Sequence, residues 1–149
     1  MNCNKYHRTC LYVTSSVVIM LVYGCSKSSV DQYLFQKLPS KETGITFENA
    51  LEEEELFNSI NYLYFYDGGG VAVGDINNDG LPDIYFTANM VSNRLYLNKG
   101  EFQFQDITTT AGVGGSIQGW TTGATMADVD GDGFLDIYVC QSNYLDKES

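Results

Sequence analysis

The sequence predicts an all-β chain that forms part of a β-propeller, and three observations carry this expectation. An acidic nine-residue loop, residues 75–83, returns 53 residues later at 128–136. Short runs rich in β-branched and aromatic residues enter and leave both copies, which is the composition of strands. Between the copies lie further strand-like runs punctuated by glycine and asparagine, without helical periodicity. Four short strands in a period of roughly 50 residues is the signature of propeller blades. A calcium-repeat β-helix would repeat far more tightly, and a sandwich would not demand the same turn twice in register.

Composition agrees. The 149 residues include 15 glycines, 11 tyrosines and 2 prolines, which suits a turn-rich β protein of one domain's length. The formal net charge is −11. Nucleic-acid binding needs a basic footprint, and none is present. Seven carboxylates belong to the two loops and residues 52–55 add four more, so much of the negative charge has a local explanation.

In chain order, residues 1–24 read as an address and not as fold. Lys5 and Arg8 make a positive region, and residues 11–23 are an apolar run of 13. A comfortable membrane span needs about 20. The run closes on Leu21-Val22-Tyr23-Gly24-Cys25, which resembles a bacterial lipobox: an aliphatic residue, a small residue, then the cysteine that becomes the new N-terminus. Cys25 is the expected lipidation site. Several acyl chains, at roughly 0.8 kcal/mol per buried CH₂, would hold the protein on a membrane.

Cys3, Cys10 and the single histidine, His7, leave with this leader. A disulfide framework within the chain is therefore excluded, and Cys140 is expected to be a small buried hydrophobe. The mature chain also lacks the commonest general base and catalytic zinc ligand. Residues 25–42 read as the lipidated cysteine and a tether, and residues 43–149 as the repeats.

Within the repeats, residues 43–49 could form a first short strand, and residues 60–66 are a strong strand candidate. The glutamate run at 52–55 reads as a solvated loop or helical turn before a metal site. Gly68-Gly69-Gly70 marks a sharp turn or a close backbone approach. Residues 71–74 enter the first loop, and 83–89, 94–97 and 101–105 follow as strands, the last for its alternation of polar and apolar residues. A turn falls at Asn98-Lys99-Gly100, and residues 111–115 are a glycine-rich connection. Residues 120–127 enter the second loop, which Ile137 and Tyr138 leave. Laid on the first unit, Gly123 matches Gly70 and Ala127 matches Gly74, so the repeat exceeds the loop.

Each loop reads D-x-[DN]-x-D-G-x-x-D. Oxygens at alternate positions around an obligatory turn suit Ca²⁺, which takes roughly six to eight oxygen ligands. The expected ligands are the side chains of Asp75, Asn77 and Asp79, the carbonyl of Leu81 and the carboxylate of Asp83. Their counterparts are Asp128, Asp130, Asp132, the Phe134 carbonyl and Asp136. An EF-hand is argued against, because its loop is longer, ends in a bidentate Glu and is flanked by helices. Phe86 and Val139 occupy that closing position here, and Pro82 suits a turn. The alternative is a pair of plain acidic hairpin turns, since Asp, Asn and Gly favour turns anyway; two copies sharing pattern and flanks favour the cation.

Residues 68–87, with Leu95-Tyr96-Leu97-Asn98-Lys99-Gly100, Phe104-Gln105-Asp106-Ile107-Thr108 and Ala111-Gly112-Val113, resemble the FG-GAP/VCBS-type repeats of integrin-α-like β-propellers. They are similar in particular to large bacterial lipoproteins that carry such repeats before an ASPIC/UnbV-type C-terminal domain. The resemblance implies that each loop binds Ca²⁺ between two strands of a blade. It implies a propeller of seven blades, of which about two are held here, and hence a fragment or truncated product that stops just after the second loop. The expected function is a calcium-stapled scaffold on a lipoprotein of the bacterial cell envelope, anchored at the outer membrane, with a protein or glycan ligand. The alternative is a propeller enzyme acting on glycans or other extracellular substrates, its catalytic part mostly outside this stretch. Glycoside chemistry needs only two carboxylates at a fixed separation. Asp67 and Asp106 are the acids outside the loops that lie nearest glycine-rich turns, although turn capping is the simpler role for each.

Overall fold

The computed structural model describes residues 34–55, 57–116 and 119–142. The expected leader, His7 and Cys25 lie outside the described residues. Among its described residues, the unit that begins at Leu38 is all-β apart from two single-turn helices. A four-stranded antiparallel sheet runs β1 (Val71–Gly74), β2 (Asp83–Phe86), β3 (Arg94–Asn98), β4 (Phe104–Asp106), in that spatial order. A second sheet holds β5 (Trp120–Ala127) and β6 (Asp136–Ser142). This is one four-stranded blade followed by the opening hairpin of the next, with an acidic loop joining the first two strands of each.

Register decides which side chains form the core. Ala72 pairs with Tyr85, and Tyr85 with Leu95, so the three share one face of the first sheet. All three are buried. Packed on them are Ala124, Met126, Ile137 and Val139 from the second sheet, which share a face through the pairs Ala124–Val139 and Met126–Ile137. Shifted by the repeat length, those four match Val71, Val73, Ile84 and Phe86, the opposite face of the first blade. The blades therefore stack head to tail, each offering its second face to the first face of its predecessor. Val73 and Tyr138, on the two outermost faces, are 60% and 63% exposed.

Where β1 meets β5 the backbones nearly touch. A Cβ on Gly70 would lie 2.7 Å from the Gly123 Cα, whereas one on Gly123 would meet nothing within 4 Å, so the close approach of neighbouring first strands requires glycine at position 70. A buried polar clasp closes the same junction. The Thr121 hydroxyl donates to the Ala88 carbonyl and accepts from the Ala88 N–H at 3.1 Å. Its oxygen also lies 2.8 Å from Asn93 Oδ1. Asn93 donates in turn to the Tyr85 hydroxyl at 2.9 Å, and Tyr85 donates to the Val113 carbonyl at 2.7 Å. Burial pushes the Tyr85 phenol above its ordinary pKa, against a smaller opposing effect of Asn93, which keeps it a donor.

Several sequence expectations need correction. Residues 60–66 are not a strand but a succession of turns. The Asn58 side chain accepts the N–H groups of Ile60 and Asn61, and Tyr62 and Phe65 are drawn into an aromatic cluster with Phe57 and Trp120. Local β-propensity is overridden by a partner far along the chain. Residues 43–49 form no strand either. The helical turn α1 (Ser40–Thr43) ends on left-handed Gly44; beyond it Phe47 stacks on Phe86 at 4.9 Å and the Thr46 N–H reaches the Tyr96 hydroxyl.

The last strand of the first blade starts at Phe104 and not at Glu101, because Glu101 and Phe102 both take positive φ in the turn. A second helical turn, α2 (Thr108–Ala111), precedes the glycine-rich connection. Cys140 is exposed, not buried: alternation along β6 sends Ile137 and Val139 to the first blade and Cys140 to the outer face.

Candidate metal centre

Each loop is folded by its own carboxylates. Asp75 accepts the N–H groups of Asp79 at 3.0 Å and Gly80 at 2.7 Å; Asp128 accepts those of Asp132 at 3.2 Å and Gly133 at 3.0 Å. The Asn77 and Asp130 side chains accept the Asp79 and Asp132 N–H groups at 3.2 and 3.1 Å. Asp79 and Asp132 accept from Leu81 and Phe134, both at 2.8 Å. Asp83 and Asp136 reach back to the N–H groups of Ile76 and Val129 at 3.0 and 3.1 Å. Five equivalent hydrogen bonds recur in the second copy, so the sequence repeat is also a repeat of geometry. Gly80 and Gly133 take φ of 85° and 92°, the left-handed turn the pattern demands.

In the second loop, oxygens of Asp128, Asp130 and Asp136 all lie within 4.8 Å of one another. Asp132 stands outside this trio. In the first loop Asn77 replaces Asp130, so the matching trio has two carboxylates and an amide, and the Asn77 amide donates to Asp79 at 2.9 Å. No lysine or arginine forms a salt bridge with a loop carboxylate among the described residues; the ion pair present there is Arg94–Asp106 at 3.5 Å. Convergent hard oxygens lacking a basic partner fit a divalent cation such as Ca²⁺. Such an ion would offset repulsion among the carboxylates and tie the two strands of each hairpin.

The two closing acids differ in setting. Asp83 is fully buried and also accepts the Asn98 N–H at 2.7 Å, which couples the loop to the end of β3. Asp136 is exposed. Sequence reasoning missed Asn98, and it missed the fourth loop position. Asn78 and Gly131 both have positive φ, 58° and 78°, and the Asn78 side chain donates to the Gly133 carbonyl at 3.0 Å. The loops of adjacent blades are thereby linked. The signal was available: Asn and Gly are the residues that best tolerate left-handed backbone.

Asp106, a candidate catalytic acid, is a cap. It accepts both the N–H and the hydroxyl of Thr108, at 2.9 and 2.6 Å. Burial works against its ionisation, but Thr108 and Arg94 together hold the carboxyl below its usual range.

These features define a propeller-type blade repeat with acidic strand-to-strand turns. Residues 75–139 match the FG-GAP-like repeat, a span that takes in both loops and the strands between them. Over 73 residues, 48% of the chain, the sequence is 40% identical to Cartilage acidic protein 1 of Xenopus tropicalis. The matched stretch covers 11% of that protein, so this chain spans a small part of its relative's length. No solved structure matches.

Proposed function

We propose that this chain is the calcium-stapled opening of a propeller-type interaction scaffold on a cell-envelope lipoprotein. The FG-GAP-like repeat and the blade stack support the scaffold. One observation carries the metal reading: the same hydrogen-bonded loop occurs twice, and in the second copy three carboxylates converge. Asp75, Asn77, Asp79 and Asp83 would hold one ion with the Leu81 carbonyl; Asp128, Asp130, Asp132 and Asp136 would hold the other with the Phe134 carbonyl. The ion's role is structural. Millimolar calcium outside the cytoplasm suffices even for weak sites of this kind. Removing calcium should lower the melting temperature and protease resistance of the protein. Unchanged values would contradict the proposal.

The lipobox-like Leu21-Val22-Tyr23-Gly24-Cys25 supports anchoring through Cys25. No helix among the described residues is long and apolar enough to cross a membrane. Labelled palmitate should enter the wild-type protein expressed in a bacterium and not a Cys25→Ser variant; equal labelling of both would refute the lipid anchor. Completion to seven blades and a following ASPIC/UnbV-type domain are part of the same proposal, supported by the sequence resemblance.

A further inference from the structure

The turns of residues 57–67 close over Trp120, and they leave large apolar side chains outside. Ile60, Leu63, Tyr64 and Tyr66 are 86%, 84%, 62% and 65% exposed. Apolar residues scattered singly on a surface are ordinary, whereas several together beside polar residues mark a contact surface.

The segment that carries them is firmly built. Phe57 and Phe65 are buried against Trp120. The backbones of Glu54 and Phe57 bond each other at 2.9 and 3.2 Å. The Asn58 amide donates to the Glu54 and Glu55 carbonyls at 3.2 and 3.0 Å. The N–H groups of Tyr62, Phe65 and Asp67 go to the carbonyls of Asn58, Tyr62 and Tyr64. Held by its inward rings and its own backbone, the segment presents the four outward side chains already ordered, which lowers the entropy lost on binding.

Charge decides what fits there. The exposed glutamates 52–55 precede the segment, and exposed Asp67 closes it. Glu53 folds the acidic run onto it, since its carboxylate accepts the Ser59 N–H at 3.1 Å and the Tyr66 hydroxyl. Residues 42–93 hold no lysine, arginine or histidine. A second copy would set the same carboxylates against these, and an anionic lipid surface would be repelled. An apolar surface bordered by negative charge is complementary to a chain that is apolar and positive together. We infer that this segment docks a basic, amphipathic protein segment, whose apolar side chains meet Ile60, Leu63, Tyr64 and Tyr66. Its lysines or arginines meet the carboxylates of residues 52–55 and Asp67. This names a partner class for the scaffold proposed above and rests on that reading.

The whole chain, in saturating calcium, is titrated into a dye-labelled amphipathic peptide of leucine and lysine while fluorescence anisotropy is followed. Binding should be saturable, and it should disappear when glutamate replaces the lysines or serine the leucines. The double variant Ile60→Ser/Leu63→Ser should weaken it at least tenfold, given what burying such side chains contributes. Glu52→Gln/Glu55→Gln should weaken it about fivefold, the upper end for an exposed ion pair. Glu42→Gln/Glu101→Gln removes the same charge from α1 and the β3–β4 turn and should bind as the wild type does. All six side chains are exposed, and circular dichroism should show each variant folded. No saturable binding, or equal binding of the serine peptide, would overturn the proposal. So would equal weakening by the two glutamine variants, which would reduce the effect to net charge. Binding to phosphatidylcholine vesicles that Ile60→Ser/Leu63→Ser loses would overturn it in favour of a membrane surface. A dimer in size-exclusion chromatography that the same variant dissolves would do so in favour of self-association. Failure of the calcium staple appears instead in the melting temperature on chelation, so the two readings fail separately.

Discussion

Asp83 accepts backbone hydrogen bonds from Ile76 and Asn98 while fully buried, so a single carboxylate joins the loop, β2 and the end of β3. Hydrogen bonds to a charged group contribute about 1.5–3 kcal/mol each. Asp83→Ala should therefore cost roughly 3 kcal/mol or more in chemical denaturation, and Asp136→Ala, exposed and with one such bond shown, clearly less. Equal losses would contradict the distinction. Asp106 carries a pH signature. Its folded pKa is depressed, so its contribution is complete above the ordinary Asp range and disappears as pH falls through the lower folded value. Asp106→Asn should flatten that acid limb of the stability–pH curve; an unaltered limb would show that the cap is energetically silent. At this scale the acidic side chains that hold the turn and the two loop glycines were legible because the chemistry of the turn dictates them. Asn98 and the exposure of Cys140 were not, since both depend on which strand lies alongside.

The strands that flank the loops were legible as elements, because β-branched and aromatic residues bound each turn and the turn fixes the pairing. Residues 60–66 have the same composition and fold differently. Asn58 and Ser59 start a turn there, and Trp120, some 60 residues on, supplies the surface on which Phe57, Tyr62 and Phe65 close. No local window contains that partner. The interblade clasp was equally hidden: Thr121 reads as one more strand residue, yet it is 4% exposed and bridges Ala88 and Asn93. Thr121→Val keeps the shape and removes the hydroxyl, leaving buried polar atoms short of a partner. Thermal or urea unfolding should show a loss of about 1–3 kcal/mol. A loss below experimental error would mean that the clasp adds nothing to packing.

Across the whole chain, the blade faces follow from the repeat. Val73 and Met126 occupy matching positions, but Met126 packs on the first blade whereas Val73 is mostly exposed. Val73→Lys should change the stability of this chain by less than about 0.5 kcal/mol. Met126→Lys, which drives a charge into the blade junction, should cost more than about 2 kcal/mol. Similar effects at both sites would contradict head-to-tail stacking. The propeller architecture was readable from the recurring loop, its strand-like flanks and the repeat length together, but the direction of stacking needed strand register. Asn78 meanwhile links the two acidic loops, so the proposed ions sit in turns that touch.

The most direct measurement is an equilibrium calcium titration of the chelator-treated protein. Two ions should bind per chain, with Asp75→Asn and Asp128→Asn each removing one. Absence of saturable binding, or a stoichiometry that neither substitution changes, would contradict the stapled-hairpin account.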